Sequence, residues 1–206
     1  IITYTPVGEL LSEDSLDGLR GLKKDLSKLE RIESVVSILD VPLLDSPRVK
    51  ISELESNKRT LSTPGLDKIL AKKEFMSSPI YEKFLVSSDG KTTSLLAIYK
   101  RDEKYYSLME VRDSLREKKQ QNSSLTQEEG VRLHETSLEF KKHLALTQDI
   151  QRAEIKKVRT ILDKYRDKAK MFLGGLPMIT SDMVDLIEGD LYVFGAGVFC
   201  LMLASM

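Results

Sequence analysis

Residues 170–206 read KMFLGGLPMITSDMVDLIEGDLYVFGAGVFCLMLASM. The segment holds three readings in a row. Lys170 to Leu173 is a short strand. Gly174-Gly175 and Pro177 turn the chain: two glycines accept a tight turn, and proline is tolerated near a helix start. A helix then begins near Ile179. From Leu191 to Met206 it carries no charge at all. Spanning a bilayer takes about 20 apolar residues. The run breaks off where the chain does, so the expectation is a membrane helix that continues beyond Met206. A soluble protein's buried C-terminal helix is the alternative, but Gly195, Ala196, Gly197 and two phenylalanines suit a membrane helix better.

The flank predicts an orientation. No Lys or Arg occurs from Met171 to Met206, whereas Asp182, Asp185, Glu188 and Asp190 precede the apolar run. Cytoplasmic flanks of membrane helices collect Lys and Arg, so this flank is expected on the outer side. Negative charge near a helix N-terminus is also favoured by the helix dipole, which would explain the same acids in a soluble helix.

Working back toward the N-terminus, the remaining elements complete a pattern. Ile1 to Val7 alternates and is β-prone, and a chain opening in a strand predicts that something precedes it. Ser12 is a good N-cap, with Glu13 and Asp14 in the first turn. Leu16, Leu19, Leu22, Leu26 and Leu29 then recur every three or four residues, one apolar helix stripe. Ile32 to Leu39 is a second, β-branched strand, ended by Pro42 and Pro47. Asp45 to Thr63 reads as irregular loop with a helical turn. Pro64 opens a helix to about Met76, which Ser77-Ser78-Pro79 breaks. Phe84 to Ser88 and Thr92 to Tyr99 are strands joined by Asp89-Gly90, a strong hairpin signal.

The charged region follows. Glu103 to Lys119 is expected to be helical, with Tyr105, Leu108, Val111, Arg112 and Leu115 on one side. Gln120 to Ser124 is a polar turn, and Thr126 to Glu129 matches a capping box. Helical pattern then continues to about Asp167, with Ile155, Val158, Leu162 and Tyr165 as its later apolar stripe. That helix would be about 60 Å long at 1.5 Å per residue, a length that leaves room for a kink or a break. The short turn predicts an antiparallel hairpin. Its distal part has little to bury, so residues 110–135 are expected either to order against a neighbouring subunit or accessory protein or to form a solvated hairpin with no partner.

With the loops set aside, strands 1–7, 32–39, 92–99 and 170–173 and two helices give β-α-β-β-α-β. The predicted fold class is α+β, a ferredoxin-like split β-α-β core with long helical insertions, ending in the start of a transmembrane helix. The corresponding division is 1–102 and 150–177 for the core, 103–149 for the charged hairpin, and 178–206 for the membrane helix.

Composition constrains function. Thirty-two basic and 32 acidic residues cancel, which gives no support to nucleic-acid binding. A single cysteine, Cys200, excludes an internal disulfide. His134 and His143 are nine apart on a charged helix, share no i, i+4 face, and read as solvated surface. Gly174-Gly175 lacks the spacing of a phosphate loop, and no serine sits in a nucleophile elbow. No catalytic, metal-binding or cofactor-binding residue is assigned, no cofactor is expected, and an enzyme is not.

Phe172 to Gly195 resembles the junction between an outward domain and its second membrane helix in resistance–nodulation–division (RND) exporters. The nearest group is the hydrophobe/amphiphile exporters related to the mycobacterial large membrane proteins and hopanoid transporters. Ser34-Val-Val-Ser-Ile-Leu39 resembles that family's second porter strand. Ser78-Pro-Ile-Tyr81 with Leu85 to Thr93 resembles its third-strand region, while Glu103 to Gln148 is least matched. The resemblance implies a proton-driven, multi-pass exporter of the cell membrane, with this segment extracytoplasmic. Its implied partners are a hydrophobic or amphiphilic substrate such as a lipid, the membrane, the remaining membrane helices, the second porter domain and further copies of itself, with no nucleic acid. The proton relay would lie on helices outside this segment. The alternative from the residues alone is a membrane-anchored scaffold whose charged hairpin binds a partner.

Overall fold

The computed structural model describes residues 1–43, 59–63, 65–78, 81, 85–122 and 124–205. Residues 45–58 of the loop expected over 45–63, the expected helix start at Pro64, Pro79 and Phe84 lie outside them. By internal contacts the chain divides into two units. One is Ile1–Tyr99 with Lys156–Met183; the other is Lys100–Ile155 with Val184–Met206.

The first unit is built on a four-stranded antiparallel sheet. Its strands are β1 (Ile2–Pro6), β2 (Ile32–Val36), β3 (Thr93–Tyr99) and β4 (Ala169–Leu173), in the order β2-β3-β1-β4. All four expected strands therefore share one sheet. β1 is central: Ile2 lies opposite Leu95 on one side and Leu173 on the other. The period-2 pattern decides which residues enter the core. Ile2, Tyr4, Leu95, Ala169 and Met171 point inward and are buried, while Leu96 and Phe172 stay exposed on the other face.

Helix α1 (Glu13–Leu26) covers the inward face. Ser12 caps it by accepting the Ser15 N–H at 3.3 Å, and Glu13 and Asp14 occupy its positive end. Leu16, Leu19, Leu22 and Leu26 are each at most 1% exposed, and Leu29 packs at the margin of the same core. Each such leucine contributes roughly 1.5–3 kcal/mol by leaving water. Val158 and Leu162 join this core with Ile38, Leu43, Phe75 and Tyr81.

Several boundaries differ from expectation. β2 stops at Val36 because Asp40 turns the chain. Its carboxylate accepts the Ser37 N–H (2.9 Å) and hydroxyl (3.1 Å), so Ile38 and Leu39 enter the core from a turn. Helix α2 (Lys68–Ser77) starts after Asp67, which accepts the Ile69 and Leu70 N–H groups. The expected strand at 84–88 is reduced to one bridge, Val86 to Thr93, because Leu85 and Val86 donate to the Tyr81 carbonyl instead. The Asp89-Gly90 turn does form: Ser87 N–H reaches Thr92 O at 2.9 Å, and Gly90 takes φ +67°.

In the second unit, α3 (Glu103–Asn122) runs three residues past its expected end. The helix α4 (Gln127–Asp163) is a single unbroken run, about 55 Å at 1.5 Å per residue, and ends four residues early. Its 127–155 portion belongs to this unit and the rest to the first. Thr126 and Glu129 close a reciprocal capping box at 3.0 and 3.2 Å. The last helix, α5 (Leu176–Ala204), begins three residues before Ile179, after Gly175, whose φ of +114° strongly favours glycine.

Candidate functional site

Two features stand out: the apolar helix α5 with its acidic flank, and the charged hairpin of α3 and α4. Among the described residues, Leu176–Leu203 is the one helix long and apolar enough to cross a bilayer, with mean hydropathy 1.7 and none of that window buried. Tyr192, Phe194, Phe199 and Leu201 are all exposed, as is Cys200.

The acids that precede the apolar run are held by arginines of α4. Within the first unit, Arg159 Nη2 donates to both oxygens of Asp182, at 2.7 and 2.8 Å. Within the second, Arg152 reaches Glu188 at 3.0 Å and Asp185 at 3.9 Å. Arg152 and Arg159 are two turns apart on α4 and so lie on one face. Three of the four flanking acids thus have cationic partners, and Asp190 has none among the described residues. The sequence reading explained these acids through the helix dipole or membrane orientation and missed the arginines. The signal was a seven-residue spacing on α4 set against acids spaced by three on α5.

The hairpin is a ladder whose rungs run antiparallel. Lys118 pairs with Glu129 near the turn, and Lys104 with Glu139 at 2.9 Å further down. Next to the second rung Phe140 is buried, its ring 5.3 Å from that of Tyr105, and the Arg112 guanidinium stacks 4.0 Å above it. Arg112 therefore covers apolar surface, on the side of α3 where the sequence sets it with Tyr105 and Leu108.

At the base sits a polar cluster that sequence reasoning also missed. Asp102 accepts the Tyr105 N–H at 2.9 Å, as a helix cap does, and meets His143 Nε2 with both oxygens at 2.8 and 3.0 Å. The Thr147 hydroxyl completes it at 3.4 Å. The side chain of His143 is only 16% exposed, so the reading of both histidines as solvated is corrected for this one. His134 is exposed as expected. Burial pushes the Asp102 carboxyl up. The Tyr105 N–H, the His143 ring and the Thr147 hydroxyl together outweigh it and hold the carboxyl below its ordinary value. The cluster thus adds stability above that value and loses it as pH falls below.

Among the described residues, no three of His, Cys, Asp and Glu gather closely enough to hold a metal ion. Open concavities lie at the start of α4, lined by Thr126, Val131, Arg132 and Glu135, and at the start of α1, lined by Val7, Ser12, Asp17 and Lys168. The arrangement offers charge pairing, apolar surface and helix-to-helix contact. No protein-family model, curated protein or solved structure matches the chain.

Proposed function

We propose that this chain is the extracytoplasmic porter domain of a proton-driven exporter of the RND type, acting on hydrophobic or amphiphilic substrates such as lipids. On this reading the four-stranded sheet is a ferredoxin-like core and α5 is the outer part of the membrane helix that follows it. The observation that carries the reading is the order of parts. The strands lie β2-β3-β1-β4, with α1 joining β1 to β2 and α4 leading into β4. Only Gly174 and Gly175 then separate β4 from the apolar helix. Such a domain works noncovalently, by shape change and by contact with substrate and neighbouring domains. The proton relay lies outside this chain.

The test is transport by the intact gene product. Cells expressing it and cells deleted for it are loaded with Nile red, and efflux is followed by fluorescence. The expected result is faster efflux in the expressing cells, abolished by a protonophore. Equal efflux in both strains, or efflux indifferent to the protonophore, overturns the proposal. The charged hairpin by itself favours a second reading, a membrane-anchored scaffold, but that reading gives no reason for a sheet ordered in this way.

A further inference from the structure

The face of the sheet turned away from α1 changes character from one end to the other. An antiparallel sheet with one packed face commonly shows water a polar face on the other side. Here only one end is polar. Thr92, at the head of β3, Thr5 of β1 and Lys170 of β4 form a row. Thr5 lies opposite Lys170, and its hydroxyl meets that of Thr92 at 2.8 Å. Toward the other end the outward positions are apolar. Phe172 is 60% exposed, Leu96 43% and Ile98 38%. Val36 lies opposite Leu96, and Ile1 pairs with Gly174 between them and Phe172. β4 runs from Lys170 to Phe172, and Gly174 and Gly175 then lead into α5. The apolar end of this face is therefore the end from which α5 leaves. Exposed apolar surface rimmed by polar groups marks a place where something binds.

The polar end is equipped for an anion. Lys170 is exposed and makes no ion pair among the described residues. Its ammonium leans over the Phe172 ring, 5.2 Å from the centroid, and so marks the border between the polar row and the apolar surface. In the Thr5–Thr92 pair one hydroxyl donates to the other, which leaves one O–H to donate outward. The acid of the adjoining turn, Asp89, is taken up by the Ser87 hydroxyl and the Lys91 N–H. Glu33, at the irregularity of β2, belongs to the opposite end of the sheet. Thr92 to Ile98 spans about 20 Å at 3.3 Å per residue, room for a long acyl chain laid beside a head at Lys170.

We propose that this face binds a single-chain amphiphile with an anionic head. The head is held by Lys170 and the Thr5–Thr92 hydroxyls, and the chain lies along Phe172, Leu96 and Ile98. The inference rests on the exporter reading for where the membrane lies, and it deepens that reading by naming the substrate class. On that reading the tail points toward the bilayer it came from. The test uses the intact protein in native membranes with Cys200→Ser as background. Leu96→Cys reacts with N-ethylmaleimide, and palmitate slows the reaction several-fold while hexadecyltrimethylammonium does not. Val7→Cys, 84% exposed and beyond the polar row, reacts at an unchanged rate with either amphiphile present. Adding Lys170→Glu to Leu96→Cys exchanges the preference, so that the cationic amphiphile protects and palmitate does not. A variant that gains a response has not merely misfolded. Equal protection by both amphiphiles overturns the proposal, as does a preference that survives Lys170→Glu. A Leu96→Cys thiol that is unreactive with no amphiphile added overturns it too and places protein on this face. Failure of the exporter reading looks different. Charge-selective protection in a protein whose Nile red efflux fails supports the site and removes the exporter. Normal, protonophore-sensitive efflux without protection removes the site alone.

Discussion

Gly18 faces the ring of Tyr4, and the contact is closer than any side chain would permit. A Cβ built there lies 2.5 Å from the Tyr4 hydroxyl oxygen. Tyr4 is fully buried, and that hydroxyl donates to the Ser15 carbonyl at 3.2 Å. Gly18→Ala should therefore destabilise the first unit by about 1–3 kcal/mol through overpacking. In a Tyr4→Phe background the offending oxygen is gone and the nearest ring carbon is 3.7 Å away. Most of the loss should be recovered there, even though Tyr4→Phe itself removes a hydrogen bond worth about 1 kcal/mol. Urea unfolding of the four variants checks this. Tyr165 makes a second claim at this scale. Its hydroxyl donates to Asp25 at 3.0 Å, and burial, then Asp25, push its pKa up to about 12 from an ordinary 10.0. The neutral phenol is the form the fold favours. Its contribution is complete below pH 10 and is lost as pH rises from 10 to about 12. Stability should fall more steeply across that window in the native chain than in Tyr165→Phe, as equilibrium unfolding at fixed pH values would read.

At the scale of elements, hydrophobic burial and charge pairing predict unequal costs. Leu22 is fully buried between α1 and the sheet, so Leu22→Ala should cost roughly 2–5 kcal/mol. Arg159 and Asp182 are each more than a third exposed, so Arg159→Ala should cost less than about 1 kcal/mol. Equal losses for the two would contradict this account of what holds the helices. The same contrast explains what was legible in the sequence. The leucine stripe of α1, the alternation of β1, the Asp89-Gly90 turn and the Thr126–Glu129 box are local patterns, and local patterns survive reading in one dimension. β2 was read too long because Ile38 and Leu39 are as apolar on a turn as on a strand; the deciding group was Asp40. The pairing of His143 with Asp102 spans 41 residues, and that of Arg159 with Asp182 joins two helices. Neither leaves a local trace, since a charged residue looks solvated until its partner is placed.

For the whole molecule, the proposed function requires the acidic start of α5 to face outward. Asp182→Cys in a Cys200→Ser background should react with a membrane-impermeant maleimide added to intact cells. Reaction only after the cytoplasmic side is opened would reverse the assigned topology. The arginine contacts add a qualification to the charge argument. Asp182, Asp185 and Glu188 carry partners from α4. The proposed orientation therefore rests on the absence of Lys and Arg from Met171 onward as much as on the acids themselves.

The register of the sheet also sets a timetable. β1 is a central strand, and its partner along one whole edge is β4, with Ile2 opposite Leu173. About 170 residues separate them. At a synthesis rate of roughly 5–20 residues per second, that edge of β1 stays unpaired for about 8–34 seconds. During that interval the strand can meet β3 but not β4, and an open edge is a template for pairing with other chains. The segment made immediately after β4 is the apolar helix α5. Completion of the sheet and emergence of the apolar helix therefore fall in the same few seconds of the chain's birth.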